Sequence, residues 1–285
     1  MSNDRLINVF EDFINKELST KSSFHPYFQK AYSKMFKAGG KRFRPLLLLL
    51  VVDAYQKELV SNALPVAMAL EMFHTYSLIH DDLPTFDDAN LRRGEETLHV
   101  SYDEVTATLV GDALNSDAFF VIADSPLADD VKIELIKILS KNGGGEGMVL
   151  GQAIDCYFEN RRLDIDKLKF LHIHKTAKLI AASLKMGAVI ANLSTEKKDL
   201  LYDLGLKIGL LFQIEDDIID ATQSKQEAGK PTNSDKDKNS FVNLLTLDGA
   251  KDQKIKLLNE IKDDLSSIGK PLSKRLDSIL NKYFE

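Results

Sequence analysis

The chain has 285 residues, 44% hydrophobic and 28% charged, and its 37 Lys and Arg against 43 Asp and Glu leave a net charge of -6. That acidic balance argues against a general nucleic-acid or anionic-membrane surface, so any local basic cluster calls for a specific anion. The single cysteine, Cys156, excludes an intrachain disulfide, and the start of the sequence lacks a basic-then-apolar-then-small leader pattern, so a reducing cytoplasm is the expected compartment.

In chain order, apolar residues at helical spacing predict helices over 6–18, 45–58, 64–82, 98–123, 130–141, 166–190, 196–220 and 253–267. The apolar run 46–52 is too short to cross a bilayer, and no membrane span is expected. Asp164 and Ser194 read as helix starts, Ser194 as a cap, although Lys197 cannot complete a capping box with it. No strand alternation is sustained, and no linker, repeat or low-complexity tract interrupts the chain. The expectation is an all-α, single-domain bundle covering 1–285. The longest irregular stretch, 221–239, reads either as a lid over a site or as an exposed loop.

Two acidic clusters stand out against this background. Asp81, Asp82 and Asp87 close one apolar helical run, and Asp216, Asp217 and Asp220 close another. Mg2+ is small and hard, and is held by a few carboxylates together with the phosphates of its substrate, so such clusters suit a metal and diphosphate site. Asp216 and Asp220 stand four apart and share a helix face. Asp81 and Asp87 are six apart, which an unbroken helix would splay, but Pro84 breaks the helix between them. Asp88 is a rival to Asp87. The glycines 143, 144, 145 and 147 do not make a phosphate loop, because no strand precedes them and no GK[ST] follows; close helix packing accounts for them.

The first cluster continues as DDLPTFDDANLRRG and the second reads FQIEDDIID. With GGKRFRP at 39–45, HKT at 174–176, GKP at 229–231 and the GMVLGQAID stretch ending at Asp155, these motifs resemble, in order and over nearly the whole length, the trans-type prenyl diphosphate synthases. The resemblance implies a bundle around a central active-site cavity, a homodimer, and condensation of isopentenyl diphosphate with an allylic diphosphate. By the same resemblance Asp81, Asp82, Asp87, Asp216 and Asp220 would hold Mg2+, three ions per site. Lys41, Arg44, His74 and Arg93 would hold isopentenyl diphosphate. Arg92, Lys175, Lys230 and Lys238 would hold the allylic diphosphate, and Thr176 and Gln213 would stabilise the allylic cation.

Each of these residues also has a plainer reading. Arg92 and Arg93 could pair with Asp87 or Asp88, Lys230 and Lys238 could form surface ion pairs, and His74 could be a core histidine. Tyr76 and Ser77, five and four positions before the first acidic motif, correspond to the floor of the chain pocket in the family, with Phe73 one turn deeper. An aromatic at Tyr76 with the four-residue gap between Asp82 and Asp87 resembles the bacterial farnesyl diphosphate synthase pattern. A geranylgeranyl or mixed-length product is the alternative, followed by a terpene cyclase or a non-catalytic subunit of a heteromeric enzyme. Phe86, Ala89, Glu96 and Glu215 depart from the commonest family pattern, and Glu215 is a candidate partner for a lysine of the 221–239 stretch.

Overall fold

The computed structural model describes residues 1–18, 23–222 and 239–284. In order these form α1 (Asn3–Leu18), α2 (Phe28–Lys37), α3 (Phe43–Tyr55), α4 (Val60–Asp81), a two-residue hairpin of β1 (Leu91–Arg92) and β2 (Glu95–Glu96), α5 (Leu98–Ser101) and α6 (Glu104–Ala123). There follow α7 (Asp129–Gly143), α8 (Met148–Tyr157), α9 (Ile165–His172), a π-helical turn (Ile173–Ala177), α10 (Lys178–Ile190), α11 (Thr195–Thr222), α12 (Phe241–Leu265) and α13 (Lys270–Phe284).

The centre is built from the most uniformly apolar helices, as expected for helices without a polar face. In α3 every side chain from Leu46 to Val52 is at most 3% exposed, and α4 and α10 are buried along most of their length. Helix α4 lies along α6, while α10 lies between α3 and α11. Gly205 and Gly209, one turn apart on α11, let it approach α10: a Cβ would fall 2.5 Å from Ala181 Cα and 2.3 Å from Ala177 Cα respectively. One hydrophobic cluster runs from α1 to α13, and a smaller one of Leu168, Ile214, Ile218, Phe241 and Ala250 sits under the acidic end of α11.

Several boundaries differ from the sequence expectation. The predicted 98–123 helix is broken at Tyr102 and Asp103, because the Asp103 side chain accepts from Thr106 N at 2.6 Å and so starts α6 afresh. Helix α4 begins at Val60, with Pro65 accommodated near its start, and α12 begins at Phe241, well before residue 253, with a kink at Thr246, whose φ of 69° and ψ of 166° are not helical. Helices α2, α8 and α13 were not anticipated. They are short or amphipathic, and α13 is fixed by a tertiary contact, the 2.6 Å ion pair of Arg275 with Asp53 of α3. Asp164 and Ser194 do accept from Lys167 N at 2.9 Å and Lys197 N at 3.4 Å. Among the described helices, α6 is the one long and apolar enough to cross a membrane by length and composition, yet it packs against α4 and α7.

Candidate active site

The first acidic cluster is shaped by a turn at the end of α4. After Pro84 the chain folds back so that Asp87 N donates to Asp81 O at 2.9 Å and Ala89 N to Asp82 O at 3.1 Å. Asp88 adopts a left-handed backbone, φ 47°, and its exposed carboxylate faces His99 at 3.9 Å. Asp87 is instead close enough to act electrostatically on Asp81, Asp82, Arg92 and Lys175. Burial pushes the Asp81 carboxyl up to about 6; Lys175 pulls it back, while Asp87 adds to the rise. Asp82 is 2% exposed, and both Nε and Nη2 of Arg92 donate to its Oδ1, at 2.9 and 2.5 Å. The partner of Arg92 is thus Asp82, and neither Asp87 nor Asp88 takes that place.

The second cluster is the end of α11. Asp216 and Asp220 share a face; Asp217 and Asp220 are both buried, and Asp217 accepts from Gln213 Nε2 at 2.9 Å and Phe241 N at 2.7 Å. Gln213 Oε1 in turn accepts the Thr176 hydroxyl at 3.1 Å. Glu215 pairs with Lys254 of α12 at 2.7 Å, so a described helix supplies its lysine.

The π turn at 173–177 connects the two clusters. It carries Lys175, whose ammonium reaches Asp155 of α8 at 2.5 Å and lies within electrostatic range of Asp81 and Asp87, and Thr176, which touches Gln213 of α11. Burial alone would lower the Lys175 pKa; Asp155 and Asp81 outweigh it, so this lysine stays charged. Such one-residue bulges recur where a helix must aim functional side chains.

Beside the first cluster lies a pocket of guanidinium groups. Arg42, Arg44, Arg92 and Arg93 all lie close enough to His74 that, after burial, they hold its imidazole well below the usual range. His74 is therefore neutral at physiological pH. Burial pushes Arg44 down to about 10, with Glu71 opposing and Arg93 adding to the shift, and its buried Nε lacks a hydrogen-bond partner. Arg93 takes a left-handed backbone, φ 56°, and donates to Gly39 O at 2.7 Å, which joins the RRG motif to the GGKR motif. Gly40, φ 134°, leaves room for it: a Cβ there would fall 2.9 Å from Arg93 Cζ. Arg93 pairs with Glu71 of α4 at 3.4 Å, not with Asp87 or Asp88. Lys41 is exposed, 5.4 Å above the Phe212 ring and 5.7 Å from that of Tyr283.

Below the first cluster on α4, Tyr76 packs edge-on against Phe73 with centroids 4.8 Å apart, and Phe73 against Phe119 at 5.8 Å. The Phe73 ring occupies the place where a Cβ on Gly143 would stand, 2.1 Å from its Cε1, so the glycine run serves helix packing here. Ser77 turns its hydroxyl back to His74 O at 2.8 Å. Lys230, Lys238 and most of the 221–239 stretch lie outside the described residues.

Two residues with evident roles were not singled out from sequence, Glu71 and Arg42; Asp217 was placed in the second acidic cluster without a role of its own. The signal for Glu71 was a lone carboxylate inside the apolar run VAMALEMF, one turn before His74.

Among the described residues no three His, Cys, Asp or Glu side chains converge closely enough to chelate a metal unaided. The donor set nevertheless suits Mg2+. Asp81, Asp82 and Asp87 offer hard carboxylate oxygens within electrostatic range of one another, and the Asp81 carboxyl is raised chiefly by burial, a cost to its charged form that a divalent cation would offset.

The architecture is the all-α isoprenoid-synthase fold. The sequence matches the polyprenyl synthetase family over residues 25–271, and the chain belongs to that family. It is similar to the farnesyl diphosphate synthase of Micrococcus luteus, 39% identical over 287 residues covering 100% of this chain and 97% of the relative. The farnesyl diphosphate synthase of Bacillus subtilis is 43% identical over 229 residues, covering 78% and 77%. A crystal structure of a geranyltransferase from Helicobacter pylori, complexed with magnesium and isoprenyl diphosphate, superposes with a TM-score of 0.94 at 47% identity, covering 99% of this chain and 96% of that one.

Proposed function

We propose that this protein is a magnesium-dependent farnesyl diphosphate synthase, condensing isopentenyl diphosphate with dimethylallyl and then geranyl diphosphate. The observation that carries the reading is the π turn, which sets Lys175 beside Asp81 and Asp87 and Thr176 against Gln213, one turn before the second acidic cluster.

Lys175 and Arg92 hold the allylic diphosphate, Lys175 as a point charge and Arg92 through its planar fork. Lys230 and Lys238 join them. Asp81, Asp82, Asp87, Asp216 and Asp220 would hold Mg2+, three ions by family resemblance, which supplies neutralising charge to the departing pyrophosphate. As the allylic C1–O bond breaks, the electron pair leaves with pyrophosphate and an allylic cation remains. The Thr176 hydroxyl and Gln213 amide oxygen, hydrogen-bonded to each other, would supply the dipoles that stabilise that cation. Arg44, Arg93, Lys41 and neutral His74 hold isopentenyl diphosphate so that its double bond attacks C1. A C–C bond forms, and loss of a proton to pyrophosphate restores a double bond, so no side chain need act as general base.

Tyr76, Phe73 and Phe119 close the path of the growing chain, which favours a C15 product over the C20 alternative. The presence of both acidic motifs weighs against a non-catalytic subunit, and the arginine pocket weighs against a terpene cyclase. We further propose that 1–285 acts as one domain, in the cytoplasm, as a homodimer. Val105, Leu109 and Phe120, exposed by 68%, 51% and 66% on α6, give such a dimer an apolar face to cover. Incubation with isopentenyl and geranyl diphosphates should yield farnesyl diphosphate, and chelation of the metal should abolish turnover until Mg2+ is restored. Metal-independent turnover, or no consumption of isopentenyl diphosphate, would overturn the proposal.

A further inference from the structure

We infer that Glu71 is a positioning residue for isopentenyl diphosphate, holding the arginine forks of its pocket in a fixed orientation; the inference rests on the prenyltransferase reading. Glu71 is 2% exposed and stands one helical turn before His74 on α4. Its Oε1 accepts from Arg42 Nη1 at 2.8 Å and Arg93 Nη2 at 3.4 Å.

Arg42 is fixed from its other sides, by Glu11 at 2.6 Å and by Phe36 O at 2.6 Å. It forms part of the wall, so Glu71 is itself held in place. Arg93 is clamped between Gly39 O at 2.7 Å and the Glu71 carboxylate. Arg44 also feels the Glu71 charge. Glu71 is therefore the countercharge common to three arginines that would otherwise repel one another.

A buried carboxylate subtracts positive potential from an anion pocket and by charge alone weakens anion binding. What it returns is orientation. An arginine recognises a diphosphate through a fixed fork of N–H groups, and a fork that turns loses its paired hydrogen bonds.

The test uses the full-length protein and steady-state kinetics with isopentenyl and geranyl diphosphates. Glu71→Gln removes the charge and keeps the shape; Glu71→Asp keeps the charge and withdraws it from Arg93 by one methylene. Both should raise KM for isopentenyl diphosphate about tenfold, with KM for geranyl diphosphate and kcat changed less than about twofold. Glu134→Gln, which breaks the pair with Lys198 at the start of α11 and touches none of these arginines, should leave KM for isopentenyl diphosphate unchanged. An unchanged or lowered KM in Glu71→Asp, or equal losses in all three parameters, overturns the assignment. If Glu71→Gln fails to fold, Glu71→Asp decides alone. Wild-type protein that does not consume isopentenyl diphosphate instead refutes the prenyltransferase reading.

Discussion

Lys175 donates to Asp155 across 2.5 Å from the single π-helical turn among the described residues. The contact keeps a mostly buried ammonium charged while leaving it in range of Asp81 and Asp87. Asp155→Asn should remove that support. Because the two side chains keep 26% and 22% exposure, the expected loss is about 1–3 kcal/mol rather than the larger figure for a fully buried pair. Urea unfolding measures it, and KM for geranyl diphosphate should rise several-fold while that for isopentenyl diphosphate holds.

Tyr76→Ala should lengthen the product. The ring packs edge-on against Phe73 and, on the proposed function, would floor the chain pocket, so that its removal leaves a gap into which further isoprene units extend. A stability cost of about 3 kcal/mol is expected for truncating a buried aromatic. Chromatography of the hydrolysed products should show C20 and longer alcohols; an unchanged C15 product removes Tyr76 from the floor.

Gly40→Ala should damage the isopentenyl diphosphate side selectively. The new methyl would meet the Arg93 guanidinium at 2.9 Å, on a backbone with φ 134° that disfavours any side chain. Thermal unfolding should show a loss of about 1–3 kcal/mol. Binding of isopentenyl diphosphate, read by calorimetry, should weaken with it.

Asp217→Asn should separate orientation from metal binding. Asp217 accepts from both Gln213 and Phe241 N, and an amide retains one acceptor for the two donors. The Gln213 amide then loses its fixed orientation toward Thr176, and kcat should fall roughly tenfold. The half-saturating Mg2+ concentration should not move; a parallel shift would make Asp217 a metal ligand.

His172 governs part of the acid limb of stability. Burial lowers its pKa to about 4 from 6.5, while its ring stacks on Phe241 at 5.4 Å. The unfolded chain thus binds a proton that the folded chain refuses. Stability is full above about pH 6.5 and declines as pH falls toward 4, by at most about 3 kcal/mol. His172→Phe should flatten its part of the unfolding free energy over that window, leaving the slopes of His74 and His174, also depressed by burial, and the opposite slope of Asp81, whose carboxyl burial raises.

The elements and motifs legible in the sequence were those that local chemistry prescribes. Apolar periodicity marks α4 and α11 because both must bury most of their surface, and carboxylates at the ends of such runs are costly unless something binds them. Divalent metal and diphosphate demand particular residue types at particular spacings, so Asp81, Asp87 and Asp216 stand out without coordinates, while Lys175 and Gln213 are reached only through the family resemblance. What the tertiary structure decided was pairing. Asp82 takes Arg92, Asp88 turns to His99, Glu215 finds Lys254, and Glu71 pairs with Arg42 and Arg93 from segments far from it in sequence, with Arg44 in electrostatic range. Spacing along one helix says which side chains share a face, but the partner across a helix interface depends on the approach of two backbones. Those approaches are set by the packing of α10 on α11 and of the GGKR turn on Arg93, and such long-range contacts have no local signature.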